Sequence, residues 1–334
     1  MHVINRPAGV DPRRLGQIVY KDFTDLGELN LILETWIAKA GIISRRKKPG
    51  LLADFGTVDI ETSTVPAGSK WNRGEQPFAV PYLYQFYFAG TVWLFRFDYQ
   101  FQIFINTLDK FFTDRNVQAV FYDHNFSYEY QFFKSRIDFN PDATFALQSR
   151  RIAKAETLGG GIIFRCSYLL SNMSLEKFTE NFCDETYRKD KELIDYELLR
   201  FPWSDLSEEV LYYSCMDVIT LYHAVRSIMD REGDNVKSIP MTNTGYVRRH
   251  CRDACLGKNT KDYKSEKGKL TYPIFKRYRA MMQKCMPSLE VYNLLVEAFR
   301  GGNTHANRYK VGSRQKGVGS FRLCKQLSRC NHCI

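Results

Sequence analysis

Apolar positions along the chain follow strand spacing in some segments and helical spacing in others. Leu26, Leu29, Leu33 and Trp36 recur three and four residues apart, which predicts a helix before the basic segment 45–50. The spacing predicts strands at Thr57–Thr62, Tyr82–Phe88, Val92–Phe97, Gln118–Tyr122 and Gly161–Cys166. It predicts helices at Tyr99–Phe112, Leu175–Phe182 and Ser207–Met229, and near Tyr272–Lys284 and Ser288–Phe299. Strands first and helices later favour an α/β fold with a mixed sheet.

One apolar run, Phe78–Phe95, carries no charge and is long enough to raise the question of a membrane span. It contains Pro81, Gln85 and Gly90, and it is rich in residues that prefer strands. We therefore interpret it as two strands joined by a turn at Ala89-Gly90, and we expect no membrane association.

The composition is that of a globular protein, with 44% hydrophobic and 25% charged residues, which excludes a disordered chain. Lys and Arg number 48 against 37 Asp and Glu, a formal charge of +11. The segment 51–230 is acidic, whereas the chain beyond residue 231 is strongly basic. This distribution predicts a carboxylate site beside a surface that binds an anionic partner, nucleic acid first. Nine cysteines without disulfide-scaffold spacing are typical of a reducing compartment.

Three short groups of residues carry candidate chemistry. Asp59 and Glu61 lie two apart in a predicted strand, so both point to one face. Asn125 and Glu129 follow the predicted strand Gln118–Tyr122. Tyr213 and Asp217 lie four residues apart, on one face of a predicted helix. Each group alone also fits a solvated surface or an ordinary core; their order along the chain carries the functional interpretation.

In that order, the groups resemble the three exonuclease motifs of family B DNA polymerases, in the branch of protein-primed phages and linear plasmids, which includes organellar and viral members. Three further features match the same family: Thr62 directly after the first motif, the pair Ser167-Tyr168, and the segment from Lys191 to Tyr196. So does Phe299-Arg300-Gly301-Gly302, although Phe299 stands where the family has Tyr. The resemblance covers roughly residues 51–320.

The resemblance implies an RNase H-like 3′–5′ exonuclease domain with a mixed sheet, followed by an incomplete start of a polymerase palm. We expect a lead-in at 1–50, the exonuclease domain at 51–230 and a basic connector with the start of the polymerase at 231–310. Residues 311–334 would form a truncated tail. The implied partners are a single-stranded 3′ end, a primer–template and a terminal protein primer. The implied setting is the cytoplasm of a bacterial host that carries a phage or mobile element.

The same resemblance implies residue roles for hydrolysis assisted by two Mg²⁺ or Mn²⁺ ions. Asp59, Glu61 and Asp217 would hold the metals, with Glu129 nearby through water. Tyr213 would orient the attacking water, and Lys191 would neutralise charge on the scissile phosphate. The residues expected to contact DNA are Thr62, Asn125, Tyr128, Ser167, Tyr168, Tyr196, Arg300, Gly301 and Gly302. Glu129 stands where the family usually has Asp, and its extra methylene alters the geometry of the site.

The tail contains Cys324, Cys330, His332 and Cys333, which invites a zinc interpretation. A single Cys-x2-Cys pair without a second pair does not favour one. Permitted codons from Arg322 onward, read one base later, encode an Asp-x2-Ser-x-Tyr-Pro palm motif. We therefore expect a frameshift just after Phe321, and no nucleotide incorporation by this chain, because the polymerase metal ligands are missing.

Two other functions remain open at this point. One is a stand-alone DnaQ-like exonuclease, which the Phe299–Gly302 segment and the shifted palm motif disfavour. The other is an inactive fragment that only binds single-stranded DNA. Metal-dependent nuclease activity distinguishes this last function from the two enzymes.

Overall fold

The computed structural model describes residues 1–148, 151–188, 195, 197–255, 265–266, 269–270 and 273–298. The chain divides into two compact units, Met1–Arg252 and Asp253–Ile334. Several residues singled out in the sequence lie outside the described part, namely Lys191, Tyr196, Arg300, Gly301, Gly302 and the cysteines and histidine of the tail.

The first unit is built on one ten-stranded mixed sheet. Its strands are β1 (His2–Asn5), β2 (Gln17–Lys21), β3 (Ile42–Ile43), β4 (Gly50–Val65), β5 (Phe78–Phe88), β6 (Thr91–Phe95), β7 (Val117–Asp123), β8 (Phe139–Gln148), β9 (Arg151–Thr157) and β10 (Ile162–Cys166). The order across the sheet is β1-β2-β6-β5-β4-β7-β10-β9-β8, and β3 pairs separately with β4.

Five central strands define the architecture. β4 pairs antiparallel with β5, which pairs antiparallel with β6. On its other side β4 runs parallel to β7, and β7 runs parallel to β10. The structure confirms the prediction of an α/β fold with a mixed sheet, and the order and directions of these five strands are those of an RNase H-like fold. The carboxyl ends of β4, β7 and β10 lie at one edge of the sheet, where side chains from separate segments meet.

The helices of this unit are α1 (Leu29–Ala40), α2 (Asp98–Asp114), α3 (Phe126–Phe133), α4 (Ser167–Ser171), α5 (Leu175–Phe182), α6 (Glu208–Glu232) and α7 (Asn243–Cys255). Two 3₁₀ turns, Phe23–Glu28 and Glu185–Tyr187, complete the list. The helices predicted at Tyr99–Phe112, Leu175–Phe182 and Ser207–Met229 are confirmed as α2, α5 and α6.

Successive apolar residues of β4 supply two cores. Val58 and Ile60 are buried in one core with α1 and α2, whereas Phe55 is buried in another with the second half of α6. The polar side chains of Asp59 and Glu61 alternate with Val58 and Ile60, so they belong to the α6 side of the strand. The strand pattern thereby directs both carboxylates toward one long helix.

The charge-free run does form two strands, β5 and β6, joined at Ala89-Gly90, where both residues have positive φ. Tyr84, Phe86, Phe88, Trp93 and Phe95 are completely buried in the core that also contains α2. Among the described residues, no helix has both the length and the apolar character that a membrane crossing needs.

The second unit is described in pieces. A short antiparallel pair joins β11 (Ser265–Glu266) to β12 (Lys269–Leu270). Two helices follow, α8 (Pro273–Lys284) and α9 (Leu289–Ala298). Both helices were predicted from the sequence to within one or two residues.

Candidate active site

Three carboxylates from two distant elements meet at the α6 side of the sheet. Asp59 and Glu61 lie on β4 and are half-buried, and Asp217 lies on α6 and is buried. One carboxylate oxygen from each residue can be chosen so that all three oxygens lie within 4.8 Å of one another. The three residues predicted to hold metal are therefore brought together by the fold.

Local features of α6 fix where Asp217 lies. The helix begins after Ser207, whose hydroxyl accepts a hydrogen bond from the Val210 amide, and Glu208 and Glu209 occupy its first turn. It ends at Gly233, which has a φ of 65°. These signals place a 25-residue helix across the strand that carries the other two carboxylates.

Two hydrogen bonds tie α6 to β4 close to the carboxylates, and Tyr222 and Arg226 of α6 also bond to Asp54 farther along β4. The Thr57 hydroxyl donates to the backbone carbonyl of Val218 at 2.6 Å, and both residues are buried. The Ser214 hydroxyl donates to Glu61 Oε1 at 3.2 Å. Glu61 Oε1 also lies 3.3 Å from the amide nitrogen of Gln85 on β5. The helix and the strand are thus held in register on both sides of the carboxylate group.

A second pair of acids lies beside the first group. Asp123 ends β7 and is completely buried, and Glu129 lies in the first turn of α3 with 5% exposure. Neither carboxylate oxygen of Asp123 is served by a hydrogen-bond donor among the described residues, nor is Oε2 of Glu129. The two carboxyl groups face each other, so that a hydrogen bond forms between them once one is protonated.

Burial raises the pKa of both groups. The pKa of Asp123 is held well above its usual range by desolvation first and then by the charges of Glu129 and Asp59. Desolvation also raises the pKa of Glu129. Without a bound cation, the Asp123 carboxyl therefore holds its proton to higher pH than an ordinary aspartate, and in that form it can donate a hydrogen bond to Glu129. A divalent cation would remove the need for that proton.

His124 follows directly and is anchored inside the protein. Its Nε2 lies 3.0 Å from the Met173 carbonyl oxygen, which only accepts, so the neutral ring carries its proton on Nε2. Nδ1 lies 2.9 Å from the Ser167 hydroxyl oxygen, and that hydroxyl also lies 2.9 Å from the backbone carbonyl oxygen of Asp123, to which it donates. Burial lowers the pKa of His124 to about 4. Ser167 is completely buried, so its hydroxyl is engaged within the protein.

The residues predicted to contact DNA lie at different depths. The Thr62 hydroxyl and the Tyr128 hydroxyl are 2.7 Å apart, and the Tyr128 side chain is exposed. Asn125 is exposed, has a φ of 88° and precedes α3. The Tyr168 ring is half-buried and packs edge-on against His124. Thr62, Tyr128 and Asn125 thus offer surface, whereas Ser167 does not.

Tyr213 is buried and lies one helical turn before Asp217, as predicted. The sequence analysis did not assign Asp123 and Ser214 to the site. Asp123 could have been found from the sequence, because it is a carboxylate at the end of an apolar strand, two residues before Asn125. No sequence signal distinguishes Ser214 from other helical serines, because its role depends on the partner strand.

One other group of three potential ligands exists among the described residues, formed by His2, Asp22 and Asp25. There the Met1 ammonium lies 2.8 Å from Asp25, and His2 Nε2 lies 3.0 Å from Asp22. The Met1 ammonium and the His2 ring already contact these acids, which accounts for the cluster without a metal.

No family model and no curated protein sequence matches the chain. Among solved structures, phi29 DNA polymerase complexed with single-stranded DNA is similar at 15% identity and a TM-score of 0.46. That match covers 63% of this chain and 36% of the polymerase chain, so this chain spans well under half of it. The ternary complex of the same polymerase matches at 16% identity, a TM-score of 0.46 and coverages of 68% and 38%. The catalytic core of RRP6 from Trypanosoma brucei matches at 12% identity, a TM-score of 0.33 and coverages of 78% and 62%.

Proposed function

We propose that the unit Met1–Arg252 is a metal-dependent 3′–5′ exonuclease for single-stranded DNA ends, of the protein-primed family B polymerase type. The observation that carries the proposal is the convergence of Asp59, Glu61 and Asp217 to within 4.8 Å. Carboxylate oxygens are the ligands that Mg²⁺ and Mn²⁺ prefer. The ordered exonuclease motifs in the sequence favour DNA hydrolysis over other reactions of such a site.

The chemistry of the donor set fits two divalent ions. Asp59, Glu61 and Asp217 would hold them, and the buried Asp123–Glu129 pair adds three carboxyl oxygens that no donor in the described part of the chain serves. When bound, the ions would activate the attacking water and stabilise the leaving oxygen. Ser214 and Gln85 hold the Glu61 carboxylate in place, which limits reorganisation when a ligand binds.

The protein residues beside the carboxylates would position the strand and the water. Tyr213, one turn from Asp217 on α6, is proposed to orient the attacking water. The exposed ring of Tyr128, with its hydroxyl near Thr62, offers a face on which a terminal base or sugar can pack. The exposed side chain of Asn125 lies at the start of the same helix.

The test is degradation of a 5′-labelled single-stranded oligonucleotide by the full chain, with Mg²⁺ and with EDTA. We expect the label to remain on progressively shorter products only with the metal. Asp217→Asn and Asp59→Asn should each lower the rate by at least about a hundredfold, because one lost ligand disrupts a two-metal site.

Asp142→Asn is the matched control, because it makes the same change at an exposed carboxylate on β8. Thermal unfolding should show that the variants remain folded. Wild-type rates in both site variants, or equal loss in Asp142→Asn, would contradict the proposal.

A further inference from the structure

A basic cleft of about 460 Å³ lies near the opposite end of the same sheet. It is lined by Arg45, Lys48, Lys154, Arg165 and Lys237, and also by Gln118 and Glu156. Leu51, which also lines it, precedes Asp59 by eight residues of β4, roughly 26 Å of extended strand. The basic cleft is therefore separate from the acidic site described above.

The positive charge of the basic cleft is largely uncompensated. Lys154 forms an ion pair with Glu156, so the charge of one of the five basic side chains is neutralised. Within the part of the chain that the structure describes, no ion pair to a carboxylate serves the other four. Arg45, Arg165 and Lys237 instead donate to backbone carbonyl groups. Carbonyl oxygens satisfy hydrogen bonds but do not cancel charge.

The two arginines show how crowded these charges are. Arg45 donates to the Gln118 side chain at 2.6 Å, which orients its guanidinium in the cleft. Its pKa is lowered by burial first; the charge of Glu156 opposes that shift, and the nearby charge of Arg165 adds to it. Arg165 Nε is buried and has no hydrogen-bond partner among the described residues. An anion in the cleft would relieve the repulsion and offer an acceptor.

We propose that the basic cleft binds a phosphate group, either one phosphate of a nucleic-acid strand or a free phosphate. Cations from four separate segments converge on it, which suits a doubly charged tetrahedral anion approached from several sides. The polar groups of Gln118 and Arg45 are already fixed by their mutual hydrogen bond, so part of the site is preorganised. This inference does not depend on nuclease activity.

Binding to the full chain should be measured in EDTA, so that the metal site makes no contribution. The probes are inorganic phosphate, by calorimetry, and a fluorescent single-stranded oligonucleotide, by anisotropy. Lys48→Gln/Lys237→Gln is the main variant, because both side chains are exposed and their loss leaves the core intact. We expect affinity for at least one probe to fall about tenfold.

Arg46→Gln/Lys47→Gln is the matched control, since it removes the same charge from exposed neighbours outside the cleft. Arg165→Gln, checked for folding by thermal unfolding, should match the main variant. Loss for both probes identifies a site for free phosphate, and loss for the oligonucleotide alone identifies a site for a strand phosphate. No binding by the wild type, no loss in the main variant, or equal loss in the control would overturn the proposal.

Discussion

Thr57 on β4 donates a 2.6 Å hydrogen bond to the carbonyl oxygen of Val218 on α6, and both residues are completely buried. The bond lies between the strand that carries Asp59 and the helix turn that carries Asp217. It therefore links the fold directly to the geometry of the carboxylate group.

Thr57→Val removes that hydroxyl while keeping the side-chain shape. We expect the free energy of unfolding to fall by about 1–2 kcal/mol, because the Val218 carbonyl loses a buried partner. We also expect the Mg²⁺ concentration for half-maximal nuclease activity to rise several-fold, because α6 loses its hydrogen bond to β4 beside Asp59 and Asp217. Urea unfolding and a metal titration check the two effects.

Thr220→Val is the control for this prediction. Its hydroxyl is also buried on α6 but bonds only to the Asp217 carbonyl of the same helix. It should affect stability without shifting the metal requirement. An equal shift in the Mg²⁺ requirement of both variants would mean that the hydrogen bond between Thr57 and Val218 does not determine the geometry of the carboxylate group.

Asp123→Asn should stabilise the metal-free protein at pH 8 by about 1 kcal/mol. The wild-type pKa is raised by burial and by Glu129, so the folded state binds protons that the unfolded state releases as pH rises. Stability of the wild type therefore falls with rising pH above the ordinary carboxyl range. The amide carries no charge and can donate to Glu129 at any pH.

Urea unfolding in EDTA at pH 5 and pH 8 measures this effect. The gain from Asp123→Asn should be larger at pH 8 than at pH 5, because the raised pKa keeps more of the wild-type carboxyl protonated at the lower pH. A gain of the same size at both pH values would rule out ionisation as its cause.

His124→Gln tests a pH effect of opposite sign. The pKa of His124 is lowered from 6.5 to about 4, so the unfolded chain binds more protons between those values. Wild-type stability should therefore fall as pH drops from about 6.5 to about 4, with a contribution from this group of up to about 3 kcal/mol.

The variant should be less stable at pH 7, because it loses the contacts to Ser167 and Met173. Between pH 6.5 and pH 4, however, its stability should decline less steeply than that of the wild type. The slope of unfolding free energy against pH, measured by urea unfolding, decides the matter. Parallel slopes would mean that His124 titrates normally in the folded protein.

Gly56→Ala should destabilise the protein by more than about 2 kcal/mol. A β-carbon at this position would lie 2.4 Å from the Phe121 ring and 2.9 Å from the Tyr87 carbonyl oxygen. Gly27→Ala is the control, because nothing lies within 4 Å of its β-carbon. Thermal unfolding of the two variants should separate them clearly, and a harmless Gly56→Ala would contradict the close packing of β4 on β7.

The helices and strands that could be predicted from the sequence have clear apolar spacing and clear turn or capping residues. The hairpin of β5 and β6 combines strand-forming residues with a turn at Ala89-Gly90, and α6 has a cap at each end. Strands β1, β2, β3, β8 and β9 were not predicted, and β1 and β8 form the two edges of the sheet. β8 alternates poorly because most of its residues are half-buried or exposed, so no apolar face marks it.

The site was predictable only in part, for physical reasons. Asp59, Glu61 and Asp217 follow a pattern that spacing and family resemblance reveal. Asp123 instead acts through complete burial next to Glu129, a property of the assembled sheet and not of its neighbours in sequence. The predicted roles of Lys191 and Tyr196 stay predictions, since both lie outside the described residues.

The hydrogen bond from Thr57 to Val218 joins residues 161 positions apart in the chain. During synthesis on the ribosome, β4, β5 and β6 emerge early and can pair as local hairpins, whereas α6 emerges much later. Closing so long a loop costs entropy that local pairing does not. The carboxylate group is consequently completed only after the α6 segment has left the exit tunnel, and a nascent chain that stops before it would lack Asp217 and therefore the complete group.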